Sequence, residues 1–479
     1  MKGTILLLAS VVLAMLLVSS APPNPAPAQA SQKPNIVFVY TDDQDVETFR
    51  RDVMPKSFDY LVDQGVRFEN MFNSTALCCP TRVTYLRGQY SHNHKVLSNK
   101  YPSGGYRKFR KMGYRDHQLP VWLQASGYAT AHVGRVMNGY DAFSPEIPDG
   151  WDEWVALTHE LALKKYSIND NGRVYTKQRA DQQDIDHLSD KAVGIVTDYA
   201  PKDRPFYLQV STTEPHLPYF YPKRYADKYA SEQAPKPPSF NEADVSDKPS
   251  YVRNRPRLSD AQIKTLDKNY RKRLRGLRGV DDLIGDLVAA LKKTKEFENT
   301  IFILSSDNGF ELGTRRVMGG KIDPYEESIN IPLVMRGPGI RQGLLQKRLA
   351  STNDIVPTIM DFAGAKEKPF FDGRSLEPLV DSKPSSKWRT AVGIEYLANT
   401  EDKNGRRIPF YGVRTAEGEK YVYYPTTGEE EYYDLKTDPY ELHNGASDPA
   451  NAGRVAALAK MAKRIRSCSG DSCRAAEGP

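Results

Sequence analysis

The run Asn35-Ile36-Val37-Phe38-Val39-Tyr40 is apolar and β-branched without polar alternation, which predicts a strand buried on both faces and ending at Thr41-Asp42-Asp43. Phe58, Leu61 and Val62 then keep helical spacing until Gly65, and Val66-Arg67-Phe68 begins another extended segment. The rhythm repeats with a helix over 119–125, a stop at Gly127 and a strand over 128–133. It recurs at Phe206-Tyr207-Leu208-Gln209-Val210, and again where a long helical pattern over 281–297 leads into Thr300-Ile301-Phe302-Ile303-Leu304. Strands and helices alternating at these lengths predict an α/β fold: a large, mostly parallel sheet with helices on both faces. Ligands of such sheets bind beyond the carboxyl ends of the strands, where Asp42-Asp43 and Asp307-Asn308 fall.

Residues 231–258, rich in Pro, Ser and Asp, read as a long surface excursion, and residues 364–388 as a linker-like stretch. Beyond about residue 388, Tyr421-Val422-Tyr423-Tyr424 and Glu431-Tyr432-Tyr433-Asp434-Leu435 predict a small antiparallel sheet, and residues 455–466 a closing helix. The expected organisation is a signal peptide over 1–30, a catalytic domain over 31–375 and a smaller C-terminal domain over 376–479. The leader follows from Lys2, the apolar run 5–18 and Ala28-Gln29-Ala30, the order of a secretory signal and its cleavage site. Fourteen apolar residues fall short of the roughly 20 that span a bilayer, so the mature chain is expected to be secreted or extracytoplasmic, without stable membrane insertion.

Charge changes this picture little. The formal net charge of +7 falls to +6 without Lys2, a mild excess that suits an anionic substrate or simply a solvated surface of mixed sign. Arg107-Lys108-Phe109-Arg110-Lys111 and Arg271-Lys272-Arg273 are short basic clusters without a nucleic-acid motif around them, so no nucleic-acid partner is expected. Cys468 and Cys473, with Gly470 between them, suit a small disulfide loop in an exported protein. Cys78 and Cys79 are adjacent, where a disulfide would be strained, so they have another role.

Asp42, Asp43, Asp307 and Asn308 offer three carboxylates and an amide oxygen at two strand ends. Oxygen-only ligands select a hard cation, calcium or magnesium, over zinc. Singly, each is as well read as a turn former or helix cap; the equivalent placement of the set favours a metal.

Cys78-Cys79-Pro80-Thr81-Arg82, continuing to Leu86-Arg87-Gly88, contains Cys-x-Pro-x-Arg and resembles the signature of the sulfatase family. The likeness extends over Tyr90-Ser91-His92-Asn93-His94, Glu214-Pro215-His216, Asp307-Asn308-Gly309, Gly320-Lys321 with Tyr325-Glu326, and Tyr433-Asp434-Leu435. It implies an alkaline-phosphatase-like fold and a sulfuric ester hydrolase in which a formylglycine-generating enzyme oxidises Cys78 to formylglycine (3-oxoalanine). One hydroxyl of the hydrated aldehyde attacks sulfur, and the other lets the intermediate collapse and expel sulfate. The resemblance further implies that modified Cys78 joins Asp42, Asp43, Asp307 and Asn308 around calcium, with magnesium as the alternative. Arg82 would then hold the diol beside the metal, and His216 and Lys321 would bind sulfate and help protonate the leaving alcohol.

Read alone, His216 is a loop histidine and Lys321 a solvated lysine; their place in the motif set makes them site residues. His92 and His94 are expected to support the site by packing or hydrogen bonding, and His132 to be a core histidine. Many relatives carry Lys at the position of Arg135 and His at that of Met137. Arg135 keeps the charge but cannot surrender a proton, so it is expected to bind and orient sulfate. Asn138-Gly139-Tyr140, the doubled cysteine and Pro148-Asp149-Gly150-Trp151 with Trp154 resemble the subgroup acting on 6-sulfated glucosamine, with Asn138 a substrate contact and Cys79 a small buried thiol. Thr81 stands where serine is commonest and keeps the hydroxyl. The competing readings are an arylsulfatase of broad specificity, a phosphate or phosphonate ester hydrolase of the same superfamily, and a catalytically silent protein that binds sulfated glycans. Asn73-Ser74-Thr75 is a glycosylation sequon beside the signature.

Overall fold

The computed structural model describes residues 33–158, 161–381, 387–402 and 405–478, so the leader assigned to residues 1–30 lies outside the described residues. Ten strands share one sheet: β1 (Asn35–Thr41), β2 (Val66–Phe68), β3 (Ala129–Arg135), β4 (Glu153–Thr158), β5 (Lys165–Asp170), β6 (Arg173–Gln178), β7 (Phe206–Ser211), β8 (Thr300–Ser306), β9 (Leu333–Arg336) and β10 (Leu344–Gln346). Their spatial order is β10-β2-β9-β8-β1-β7-β3-β4-β5-β6. The five central strands β8, β1, β7, β3 and β4 are parallel, and antiparallel pairs extend the sheet on both flanks.

Every residue of β1, β3, β7 and β8 is buried, as continuous apolar runs require. Side chains alternate along β1, so Ile36, Phe38 and Tyr40 meet one layer while Val37 and Val39 meet the other. The first layer holds α1 (Cys78–Arg87), α2 (Leu119–Ala125) and α5 (Ile355–Phe362), contributing Tyr85, Leu119, Leu123 and Ile359. The second holds α3 (Asp184–Tyr199) and α4 (Asp260–Lys293), contributing Ile185, Leu188, Leu274, Leu277 and Ile284. Each such leucine contributes about 2 kcal/mol of burial free energy.

The helix expected over 281–297 begins earlier, at Asp260, and ends at Lys293. Ser259 caps it and forms a capping box with Gln262. The extra turns bury Leu266, Tyr270, Arg273 and Leu277, a sparse stripe set among Lys and Arg that reads as surface in the sequence. Strands β4, β5, β6, β9 and β10 were not legible from pattern, being short, polar on one face or at the flanks. Residues 231–258 run as an excursion but are anchored, since Lys248 is fully buried and donates to the Leu442 carbonyl at 2.6 Å.

The C-terminal strands β11 (Ala391–Tyr396), β12 (Phe410–Thr415), β13 (Glu419–Tyr424) and β14 (Glu429–Asp434) form an antiparallel meander. Helix α6 (Ala452–Arg466) covers it with Val455, Leu458, Ala462 and Ile465. Cys468 and Cys473 are disulfide-bonded, as their spacing suggested. Glu395 of β11 accepts from Ser91 Oγ at 2.7 Å and the His92 amide at 2.8 Å, and pairs with His92 Nδ1 at 2.8 Å. His94 is buried against Thr84 Oγ1 at 3.2 Å. Both histidines therefore brace the segment after α1.

His132 lies inside β3, stacked on Trp154 with ring centroids 4.5 Å apart, and burial pushes its imidazole down to about 3. The unfolded chain takes up this proton near pH 6.5 and the folded one only near pH 3, so the stability His132 confers is complete above about pH 6.5 and is lost as pH falls through that window. Below pH 6.5 the loss approaches about 1.4 kcal/mol per pH unit for this one group. Denaturant titrations between pH 7.5 and 5 are expected to show an acid slope shallower by up to one proton in His132→Phe.

No helix among the described residues is long and apolar enough to cross a membrane.

Candidate active site

The parallel strands deliver their functional residues to one edge. β1 leads into Asp42 and Asp43, β8 into Asp307 and Asn308, β3 ends on Arg135, and β7 ends on Ser211 just before the loop carrying His216. α1 starts at Cys78, and all ten of its residues are buried, so the signature is held by packing on every side. Gly309 lets the chain after Asn308 pass close to its neighbours, because a Cβ there would lie 2.2 Å from the Glu327 carbonyl oxygen.

Cys78 Sγ lies 3.7 Å from Asp42 Oδ1, and Lys321 Nζ donates to it at 2.8 Å. Burial, with Asp42 next, pushes the thiol well above its ordinary range. Lys321 also bonds Asp43 Oδ1 and lies 3.8 Å from Asp42 Oδ1. Burial opposes its charge, but Asp43, Cys78 and Asp42 outweigh it and hold the ammonium protonated. His216 donates through Nδ1 to the Leu217 carbonyl at 2.6 Å, which leaves Nε2 facing Asp43 Oδ2 at 3.8 Å. Burial lowers its pKa despite Asp42 and Asp43.

Arg82 is saturated by the protein. Its Nε donates to Asp307 Oδ2 and its NH2 to Asp42 Oδ2, each at 2.9 Å, while NH1 reaches Ser211 Oγ at 2.6 Å and the Arg135 carbonyl at 2.9 Å. It thus bridges and orients the two carboxylates. Arg135 NH1 bonds Asp42 Oδ2. Asn138 sits one step farther out, its Oδ1 accepting from the Cys79 thiol at 3.2 Å.

The donor set fits a hard cation. Asn308 Nδ2 donates to Asp43 Oδ1 at 2.7 Å, whereas its buried Oδ1 has no hydrogen-bond partner among the described residues. Asp307, buried beside Asp42, is pushed up to about 7 first by burial and then by that second carboxylate, a conflict that a divalent cation relieves. One ligand atom each from Asp42, Asp43, Cys78 and His216 lies within 4.8 Å of the others.

Two supports escaped the sequence reading. Ser211 was detectable as the terminal residue of a buried strand at the ligand-binding edge. Arg273, read in the sequence only as part of a short basic cluster, is fully buried: NH2 donates to the Asp43 carbonyl at 2.7 Å and to Asp45 Oδ2 at 2.8 Å, with the guanidinium over Phe310. It fixes Asp43 in its positive-φ conformation (68°). Arg273→Leu is expected to lower kcat/KM by about a hundredfold through misplacement of Asp43 and to cost about 3 kcal/mol by stranding Asp45. Steady-state kinetics and urea unfolding measure the two effects. Asn73, the sequon residue, is fully buried and donates to Thr81 Oγ1 at 3.0 Å and to the Asp307 carbonyl, so its amide is occupied within the fold.

The family model for sulfatases matches residues 34–365. The chain belongs to the sulfatase family. A second model, described as the C-terminal part of N-sulphoglucosamine sulphohydrolase, matches residues 319–468 of this sulfatase. The sulfatase is similar to an arylsulfatase of Volvox carteri, at 32% identity over 93% of this chain and 76% of that protein. It is also similar to human N-acetylglucosamine-6-sulfatase, at 29% identity over 93% of this chain and 87% of that protein. Among solved structures, one determined with its substrate D-glucosamine-2-N,6-O-disulfate shares the fold, with a TM-score of 0.78 and 22% identity over 92% of this chain and 98% of that one. The chain is therefore a sulfuric ester hydrolase with the architecture of that family.

Proposed function

We propose that this sulfatase acts outside the cytoplasm on 6-sulfated glucosamine of glycosaminoglycans, with formylglycine made from Cys78 and a bound calcium ion. The observation that carries the reading is the placement of Cys78 at the head of α1, 2.8 Å from Lys321 Nζ and within the same cluster of donor atoms as Asp42, Asp43 and His216. Likeness to human N-acetylglucosamine-6-sulfatase along 93% of the chain supports the substrate class. The export signal expected over 1–30 supports the location.

Asp42, Asp43, Asp307 and Asn308, with modified Cys78, would hold the calcium. Formylglycine in its hydrated form supplies the hydroxyl nucleophile, and calcium supplies positive charge beside it. Arg82 neutralises Asp42 and Asp307 and keeps their free oxygens directed inward. Lys321 and His216 bracket the space in front of Cys78, where they bind sulfate oxygens. Because the Nδ1–H of His216 is spent on Leu217, Nε2 is the atom that faces the substrate; it donates to the departing alcohol only in the imidazolium form, which the negative charge of a bound sulfate ester would favour. Arg135, permanently charged, orients sulfate without giving up a proton.

The test is sulfate release from N-acetylglucosamine 6-sulfate, other glycosaminoglycan fragments, 4-nitrophenyl sulfate and a phenyl phosphonate ester. The first is expected to be turned over best, chelation to abolish turnover and added calcium to restore it. Faster hydrolysis of the phosphonate would establish the rival hydrolase; faster hydrolysis of the aryl sulfate, a broad arylsulfatase. Binding of sulfated glycan without turnover, with formylglycine present, would establish the silent binder.

A further inference from the structure

Cys79 takes no part in the chemistry above, yet its thiol is engaged on both sides. Cys79 and Arg82 are three residues apart on α1 and share a face. Both reach the segment that follows β3. Arg82 NH1 donates to the carbonyls of Arg135 at 2.9 Å and Val136 at 3.1 Å, and two residues farther on the Asn138 amide N–H donates to Cys79 Sγ at 3.3 Å. The thiol in turn donates to Asn138 Oδ1 at 3.2 Å. The Asn138 carbonyl is held by the Tyr106 amide at 2.9 Å, and the Cys79 amide by Asn99 Oδ1 at 2.9 Å.

These contacts settle which way the Asn138 carboxamide points. With a backbone N–H already directed at the sulfur, the thiol hydrogen goes to Oδ1, and the NH2 group turns away. Asn138 Nδ2 makes no hydrogen bond among the described residues, and Asn138 lines an open cleft of about 280 Å³ together with Val136, Tyr140, Leu157 and Leu161. Leu157 stands near the end of β4, on the same edge of the sheet as Asp42, and Arg135, three residues before Asn138, reaches Asp42 directly. The cleft thus offers a wall of mixed polarity, in which Asp141 stands beside the apolar side chains, and one oriented donor beside the catalytic centre.

We propose that Cys79 is a positioning residue that fixes the Asn138 amide with its NH2 toward this cleft, so that the enzyme recognises an acceptor oxygen of the sugar next to its sulfate ester. The inference rests on the reading of the substrate as a sulfated sugar. The thiol suits the task because its neighbours Val83, Leu86, Tyr106 and Met137 form a dry apolar cluster that excludes competing water.

The experiment is a double-mutant cycle of Cys79→Ala and Asn138→Ala, with rates on N-acetylglucosamine 6-sulfate normalised to the formylglycine content found by peptide mass analysis. Each single variant is expected to raise KM about tenfold while kcat stays within about twofold, and the double variant to do no worse than Asn138→Ala alone, because one contact has been removed by two routes. Cys79→Ser keeps a donor and an acceptor at this position and is expected to recover most of the loss. Additive effects, an unchanged KM in Cys79→Ala, or a serine variant no better than the alanine one would each overturn the inference. A wild-type enzyme inactive on N-acetylglucosamine 6-sulfate counts against the glucosamine reading alone; the same cycle on galactose 6-sulfate, judged by the same criteria, then decides the role of Cys79.

Discussion

Cys78→Ala is expected to reduce sulfate release by about four orders of magnitude or more, because it removes the side chain in the donor cluster that the proposed mechanism converts into the nucleophile. As a thiol, Cys78 is poorly suited to attack, since burial and the Asp42 carboxylate keep it protonated. Under the proposed mechanism, oxidation to formylglycine and hydration of its aldehyde would replace that thiol with a hydroxyl nucleophile. The same variant is expected to melt within a few degrees of the wild type: α1 remains packed through Tyr85, Val83 and Leu86, and the lost sulfur contributes only its contacts with Lys321 and Asp42. Ion chromatography of released sulfate and differential scanning calorimetry separate the two effects. In the wild-type protein, the peptide containing Cys78 is expected to be lighter than one carrying a thiol. An active enzyme in which Cys78 is still a thiol would overturn the formylglycine mechanism.

Arg82→Met is expected to be the most damaging substitution for stability. The guanidinium is buried and bonded to two carboxylates that themselves have no exposure, so its removal leaves Asp307 without its ion-pair partner and Asp42 with Arg135 and Lys321 alone. Losing one partner of such a network costs about 3–5 kcal/mol, far more than the network adds over an apolar substitute. Asp307, already pushed up to about 7 with Arg82 present, would become still easier to protonate and would cease to serve as a metal ligand at neutral pH. Arg82→Lys keeps the charge but not the spread of donors that serves Asp42, Asp307, Ser211 and the Arg135 carbonyl at once, so it is expected to recover part of the stability and little of the activity. Urea unfolding and calcium titration read these outcomes. A wild-type unfolding midpoint in Arg82→Met would show that the carboxylates are not held apart by this residue.

The polar cluster at the sheet edge was legible because each member sits in a recognisable local context. Asp42 and Asp307 follow continuous apolar strands, and Cys78 opens a motif that resembles the signature of the sulfatase family. Lys321 and His216 were legible only through the motif set, since as isolated residues they look like any loop lysine and histidine. Arg273 went unseen because its helix carries basic residues on its solvent face as well, and charge alone does not say which of Arg271, Lys272 and Arg273 turns inward. The flanking strands β5 and β6 went unseen because Tyr166-Ser167-Ile168-Asn169 and Val174-Tyr175-Thr176-Lys177 alternate over too few residues to be told from loop.

What the sequence determined by itself is the layered α/β architecture, the sheet edge where the chemistry gathers, the disulfide near the C-terminus and the identity of the signature cysteine. These depend on hydrophobic period and local residue order, which survive without coordinates. The tertiary structure alone decided which partner each polar side chain meets: Arg82 and Arg273 bound to the carboxylate segments, Lys321 and His216 beside Cys78, and Cys79 turned toward Asn138. The physical reason is that these assignments depend on which donor meets which acceptor across residues far apart in the chain. Such pairings arise only when β1, β3, β7 and β8 are brought side by side.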